Sequence, residues 1–296
     1  MNKTAFVQLH VAILLWGLTG ILGKAIDMSE GMIVWYRMLI TAIGLLVMFL
    51  FGTKFKMPKK KDMLQIALMG FIVAAHWVAF FGAIKVSNVS VALSCLSSIA
   101  LFTALMEPLF TNKKISIIEV VLGLLAIIGI YIIFSFHKFY GLGIALAVLT
   151  AFLGSLFTIV NKKLLLNNSA ETITFLEMVY GFLILTLFLP LYFKTTNTVF
   201  EIPQGWNLVY LLILGLLCTS FAFTISLYAL RHISSFTMNL SVNLEPIYSI
   251  ILAFIIFDEM KELNSGFFVG TFILLASVIF HSFYLYRKNK KAVKRV

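Results

Sequence analysis

Ten apolar runs of roughly 20 residues, joined by short polar connections, dominate this chain, and each is long enough to cross the hydrocarbon of a bilayer as a helix. They fall at 5–24, 31–52, 63–84, 89–111, 115–135, 141–161, 172–193, 206–229, 235–257 and 264–286. A backbone in hydrocarbon must satisfy its N–H and C=O groups internally, so runs of this length are read as helices. Composition agrees: 61% of the residues are apolar and 12% are charged, against about 25% charged in soluble domains. The expected fold is all-α, an integral membrane protein with ten transmembrane helices. The first run starts close to Met1, carries no A-x-A-like cleavage site and is like the runs after it. It is read as a retained span and not as a signal peptide.

The net charge of +11 would suggest nucleic acid in a soluble protein. Here no recognition motif accompanies it, and the basic residues cluster between apolar runs, where they orient helices. With the N-terminus in the cytoplasm, one alternating set of connections holds Lys3, Lys54, Lys56, Lys59, Lys60, Lys61, Lys113, Lys114, Lys162, Lys163, Arg231 and the tail from Arg287 to Arg295. The opposite set holds Asp27, Glu30, Lys85, Lys138, Lys194, Glu201, Asp258, Glu259, Lys261 and Glu262. The expectation is a multi-pass protein of a bacterial cytoplasmic membrane with both termini in the cytoplasm.

The two halves echo each other. Gly123-Leu-Leu-Ala-Ile-Ile-Gly129 in the fifth run matches Gly270-Thr-Phe-Ile-Leu-Leu-Ala276 in the tenth. Ala83-Ile84-Lys85 matches Ala229-Leu230-Arg231, and Ile33-Val-Trp-Tyr-Arg37-Met38 matches Ile173-Thr-Phe-Leu-Glu177-Met178. The matches keep their order at offsets of 140 to 147 residues. The unit is then five helices, over 1–138 and 139–296. Five is odd, so the second copy enters the membrane from the opposite side. Inverted repeats with a site near the midplane are a common architecture of secondary transporters.

At this point the residues resemble a known family. Trp16-Gly17 followed by Lys24 is similar to its first-helix pattern, and Glu245-Pro246, Asp258-Glu259 and Gly270 are similar to its repeat end. Together they resemble the EamA family of the drug/metabolite transporter superfamily, over nearly the whole chain. That resemblance implies ten helices and the movement of small polar metabolites, including amino acids. The first half departs from the pattern: Asn112 stands at the repeat-end glutamate, with Glu107-Pro108 about one turn earlier.

Ionisable groups inside a span cost roughly 2.5–3.5 kcal/mol on insertion scales, so each is informative. They are Arg37, His76, Glu107, Glu177 and Glu245. Arg37 and Glu177 occupy matching positions with opposite sign. They are read either as two poles of a cavity, for a carboxylate and an ammonium group, or as structural anchors. Asn239 and Asn243 share one face of the ninth run, beside a row of Thr237, Ser241 and Glu245. The fourth run carries Ser90, Ser94, Ser97 and Ser98; such residues permit close packing and interhelical hydrogen bonds. His76 is either a proton acceptor or a buried neutral group. His10, His137, His232 and His281 lie near run ends, where solvation accounts for them. Trp16 is expected to wall the cavity. Gly266 and Gly270 form a G-x-x-x-G pair suited to close helix contact, within the chain or in a dimer.

No hydrolase, P-loop or metal-ligand motif is present, and Cys95 and Cys218 both sit in apolar runs. The chain is therefore read as a non-enzymatic secondary transporter, an exporter of small polar metabolites such as amino acids. The substrate-binding candidates are Arg37, Glu177, Trp16, His76, Ser94, Asn239, Asn243 and Glu245, with no cofactor and no metal. Partners are a small-molecule substrate, membrane lipid and, as candidate coupling ion, protons, in a monomer or homodimer without nucleic acid. The alternatives are a transporter of nucleotide sugars or other phosphorylated solutes, and an intramembrane lipid-modifying enzyme.

Overall fold

A computed structural model describes residues 3–111, 114–134, 140–249, 252 and 265–293. The helices are α1 (Lys3–Ala25), α2 (Glu30–Leu50), α3 (Lys60–Val86), α4 (Val89–Leu96), α5 (Ile99–Thr111), α6 (Ile117–Phe134), α7 (Gly141–Leu164) and α8 (Ala170–Thr196). They continue with α9 (Trp206–Leu212), a π-helical run (Ile213–Phe221), α10 (Ala222–Leu230), α11 (Ser235–Val242) and α12 (Ser265–Val293). No strand occurs among the described residues.

Eight helical segments are long and apolar enough to cross a membrane, counting 91–111 and 206–230 as single spans, and Ile117–Ile133 is a shorter apolar helix. These correspond to nine of the ten expected runs. The run at 235–257 begins as α11 and is helical again at 245–249; residues 250–251 and 253–257 lie outside the described residues. Large apolar side chains such as Leu109, Ile117, Leu187 and Phe272 stand on the outside, as lipid contact requires.

Local chemistry explains the helix starts. The side chains of Asn88, Ser169 and Ser234 accept from the backbone N–H groups of Val91, Thr172 and Thr237 at 2.8, 3.2 and 3.0 Å. Asn197 ends α8 in the left-handed region, at φ 54°.

Two spans expected to be continuous are broken, and the reason is visible in their serines. The hydroxyls of Ser97 and Ser98 donate to the carbonyls of Ser94 and Cys95, three residues back, at 2.6 and 2.7 Å. The Ser98 N–H follows the same three-residue spacing, which tightens the turn between α4 and α5. After α11, Asn243 and Leu244 likewise donate to Leu240 and Ser241, three back. The two breaks touch: the Asn243 amide donates to the Ser97 carbonyl at 3.3 Å.

Packing is dense where glycines allow it. A Cβ on Gly70 of α3 would lie 2.6 Å from the Glu177 carbonyl oxygen and 3.0 Å from the Gly181 nitrogen of α8. Helix α3 packs on α7 and α8, α1 packs on α10, α2 packs on α8 and the π-helical run, and α6 packs on α12.

Candidate functional site

A cavity of about 100 Å³ lies among α1, α2, α3, the α4–α5 break, α7, α10 and the α11 break. One water needs roughly 10–15 Å³ of such space, so this cavity holds several waters or a small solute. Leu96 and Ile99 line it from one broken span, Val242 and Glu245 from the other. Broken spans are tolerated at membrane depth where they border a cavity.

Arg37 supplies its cation. The side chain is 2% exposed, and its Nε donates to Thr219 Oγ1 at 2.7 Å. The guanidinium carbon lies 3.8 Å from the centroid of the Trp77 ring, a cation–π contact that is strongest when desolvated. Nη1 is buried with no hydrogen-bond partner. Glu245 provides a carboxyl in the same cavity.

The neutral polar groups are equally specific. His76 Nδ1 lies 2.8 Å from the Thr150 carbonyl. A carbonyl only accepts, so Nδ1 carries the hydrogen. Asn239 is locked by two hydroxyls: its Nδ2 donates to Thr103 at 2.7 Å and its Oδ1 accepts from Thr158 at 3.1 Å. The remaining wall is aromatic. Phe223 meets Trp16, Trp77 and Phe157 with ring centroids 6.1, 5.7 and 5.3 Å apart.

Polar contacts join the halves beyond both ends of the cavity. On the Glu30 side, both Glu201 carboxylate oxygens accept from Ser29 N–H at 3.1 Å, and the Tyr36 hydroxyl donates to the Glu201 carbonyl at 3.0 Å. On the lysine-rich side, Asn168 Nδ2 donates to Asp62 at 3.0 Å. Within the second half there, Lys162 donates to the Leu230 carbonyl at 2.6 Å and Arg231 to that of Asn168 at 2.6 Å.

The sequence profile of the EamA-like transporter family matches residues 4–135 and 141–283. The chain belongs to the EamA-like transporter family. It is a membrane transporter, and the resemblance carried by Trp16-Gly17 and Glu245-Pro246 is borne out. Its relatives include the uncharacterized transporter YxxF of Bacillus subtilis (strain 168), 26% identical over 85% of this chain and 81% of that protein. An uncharacterized transporter of Clostridium kluyveri is 24% identical over 86% of this chain and 84% of its own length. One of Archaeoglobus fulgidus is 24% identical over 94% and 97%. A crystal structure of another protein shares the fold at a TM-score of 0.76 and 13% identity, covering 97% of this chain and 99% of that one.

In this EamA-like transporter the structure brings five of the eight expected site residues to one cavity: Trp16, Arg37, His76, Asn239 and Glu245. Three stand elsewhere. Glu177 is fully buried beside Asn161 of α7 and is not among the residues that line the cavity. The carboxyl that lines the cavity with Arg37 is that of Glu245. Ser94 is buried with its hydroxyl unpartnered. Asn243 faces the Ser97 break and a small void beside Glu245 and Pro246.

Solvation does not account for two of the histidines. His281 is 1% exposed, with Nε2 3.9 Å from Glu119 on α6; His10 is partly buried, its Nδ1 2.8 Å from the Tyr248 hydroxyl. His137, Asn112, Asp258 and Glu259 lie outside the described residues, as does the side chain of Lys24. The residues missed by sequence are Trp77, Phe223, Thr158 and Thr219. Trp77 had a signal, since it follows His76; the others are ordinary residue types in apolar runs.

Proposed function

We propose that this protein is a secondary transporter that exports small polar metabolites such as amino acids, by alternating access between two inverted five-helix repeats, 1–138 and 139–296. The observation that carries this reading is one chamber holding Arg37, with Nη1 unpartnered, and Glu245. A zwitterion offers a carboxylate to the first and an ammonium group to the second. Trp16, His76 and Asn239 complete the binding wall. Ser94, Asn243 and Glu177 act around it, the first two at the helix breaks.

Several observations support the paired halves. Exchanging the fifth-run numbering between halves turns each main contact into another: α3 on α7 becomes α10 on α1, and α3 on α8 becomes the π-helical run on α2. Asn243 bonds to Ser97 across a separation of 146 residues, within the offsets of the sequence repeat. The family profile matches in two segments that divide the chain at the same place.

Nucleotide sugars call for several cations, and Arg37 is the one arginine or lysine lining the cavity among the described residues. Protons are the candidate coupling ion, with Glu245 the acid that substrate would meet. The deciding experiment is a thermal-shift panel of amino acids and phosphorylated sugars on the purified protein, followed by flux in proteoliposomes. An amino acid should stabilise the protein and be carried outward from vesicles loaded on the lysine-rich side. Stabilisation by phosphorylated sugars alone would replace this reading with the alternative.

A further inference from the structure

We infer that the π-helical run 213–221 is a positioning device for Arg37, and that Thr219 sets selection for carboxylate-bearing solutes. The inference rests on the proposed substrate role of Arg37 and deepens it.

The starting point is an exception among the threonines. Thr41, Thr103, Thr150, Thr158, Thr174 and Thr224 all place their hydroxyl within hydrogen-bonding distance of the carbonyl four residues back, at 2.7 to 2.9 Å. This is the ordinary habit of a helical threonine. Thr219 instead donates to Leu214, five residues back, at 2.6 Å. An α-helix turns in 3.6 residues, so a carbonyl five back is beyond reach of the usual geometry. The wider π-turn brings it close.

The consequence is read at Oγ1. Its single hydrogen is committed to Leu214, so toward Arg37 it presents only lone pairs, and Nε donates to it at 2.7 Å. Both side chains are buried, where such a bond to a charged group is strong. A second contact ties the same two segments. The Thr41 hydroxyl sits 2.8 Å from the Arg37 carbonyl and 2.9 Å from the Gly215 carbonyl in the π-run. Gly215 permits this approach, because a Cβ there would lie 2.6 Å from Ile40 Cγ2.

Arg37 is thereby held on two sides. Thr219 fixes the Nε edge and Trp77 covers one face, while Nη1 is left without a partner. A guanidinium fixed in its plane offers a fork to a carboxylate; one free to rotate offers only a charge. π-Turns occur frequently at functional sites, and this one has an identifiable task.

The test uses the full-length protein with ¹⁵N-labelled arginine. The chain has four arginines, Arg37, Arg231, Arg287 and Arg295, so the Nε–H signals are resolvable. Hydrogen exchange at Arg37 Nε should be slow in the wild type and in Thr219→Ser. It should be about tenfold faster in Thr219→Val, and also in Thr219→Cys, which keeps a side chain of similar size and supplies a poor acceptor. In parallel, each protein is offered the amino acid that stabilises the wild type most, and its carboxamide. Preference for the acid over the amide should fall about tenfold in the valine and cysteine variants and persist in the serine variant. Unchanged exchange in either oxygen-lacking variant overturns the inference. Faster exchange with unchanged acid-over-amide preference overturns the role in selection. Faster exchange in a protein whose wild type binds no amino acid leaves the positioning intact and overturns the proposed substrate class.

Discussion

Gly129 of α6 and Gly270 of α12 face each other with no room for a side chain: a Cβ on Gly270 would meet the Gly129 carbonyl oxygen and lie 2.5 Å from Ile133 Cγ1. The G-x-x-x-G signal of the last run is thus used at Gly270 within the chain. Gly270→Ala should destabilise the protein by about 1–3 kcal/mol, the usual cost of overpacking. Gly129→Ala, whose Cβ would sit 3.1 Å from the Gly270 carbonyl, should cost less. Thermal unfolding in detergent ranks the two, and equal melting temperatures across wild type and both variants would refute the close contact.

Arg37→Lys should fold and express normally yet lose at least tenfold in transport. Lysine keeps the charge but cannot both donate to Thr219 and present a planar fork. Uptake and efflux in proteoliposomes measure this. Normal flux by the lysine variant would assign Arg37 to anchoring.

Glu245 and Glu177 should separate cleanly. Glu245→Gln removes a carboxylate from the cavity and should weaken substrate binding about tenfold, by the scale of hydrogen bonds to charged groups. It should also abolish any response of flux to an imposed pH gradient. Glu177→Gln, away from the cavity lining, should bind substrate like the wild type. Isothermal titration on both variants decides; weakened binding by Glu177→Gln alone would reverse the assignment.

Lys59 and Thr196 are both exposed and lie on opposite sides in the expected topology. In a background with Cys95 and Cys218 replaced, a membrane-impermeant thiol reagent should label Thr196→Cys in intact cells. Lys59→Cys should react only after permeabilisation. The opposite pattern would invert the protein in the membrane.

The spans were legible because hydrocarbon thickness imposes their length on the sequence. The breaks at Ser97–Ser98 and Asn243–Leu244 were not, since their residues also suit a continuous, closely packed polar helix. Arg37, His76 and Glu245 stood out because charge and imidazole are costly in lipid. Glu177 stood out for the same reason, yet burial cost does not reveal which neighbour a side chain faces. Thr219 escaped notice because its importance comes from a π-turn, which has no pattern of apolar residues to announce it.

Phe223 touches rings from three other helices, α1, α3 and α7. Residues in mutual contact do not change independently. Resizing any one of Trp16, Trp77 or Phe157 therefore alters the room left for Phe223, and through it the fit of the other two. Selectivity built on such a cluster is tuned in jumps. A change of solute fit through one ring alone would therefore call for compensating changes at the others.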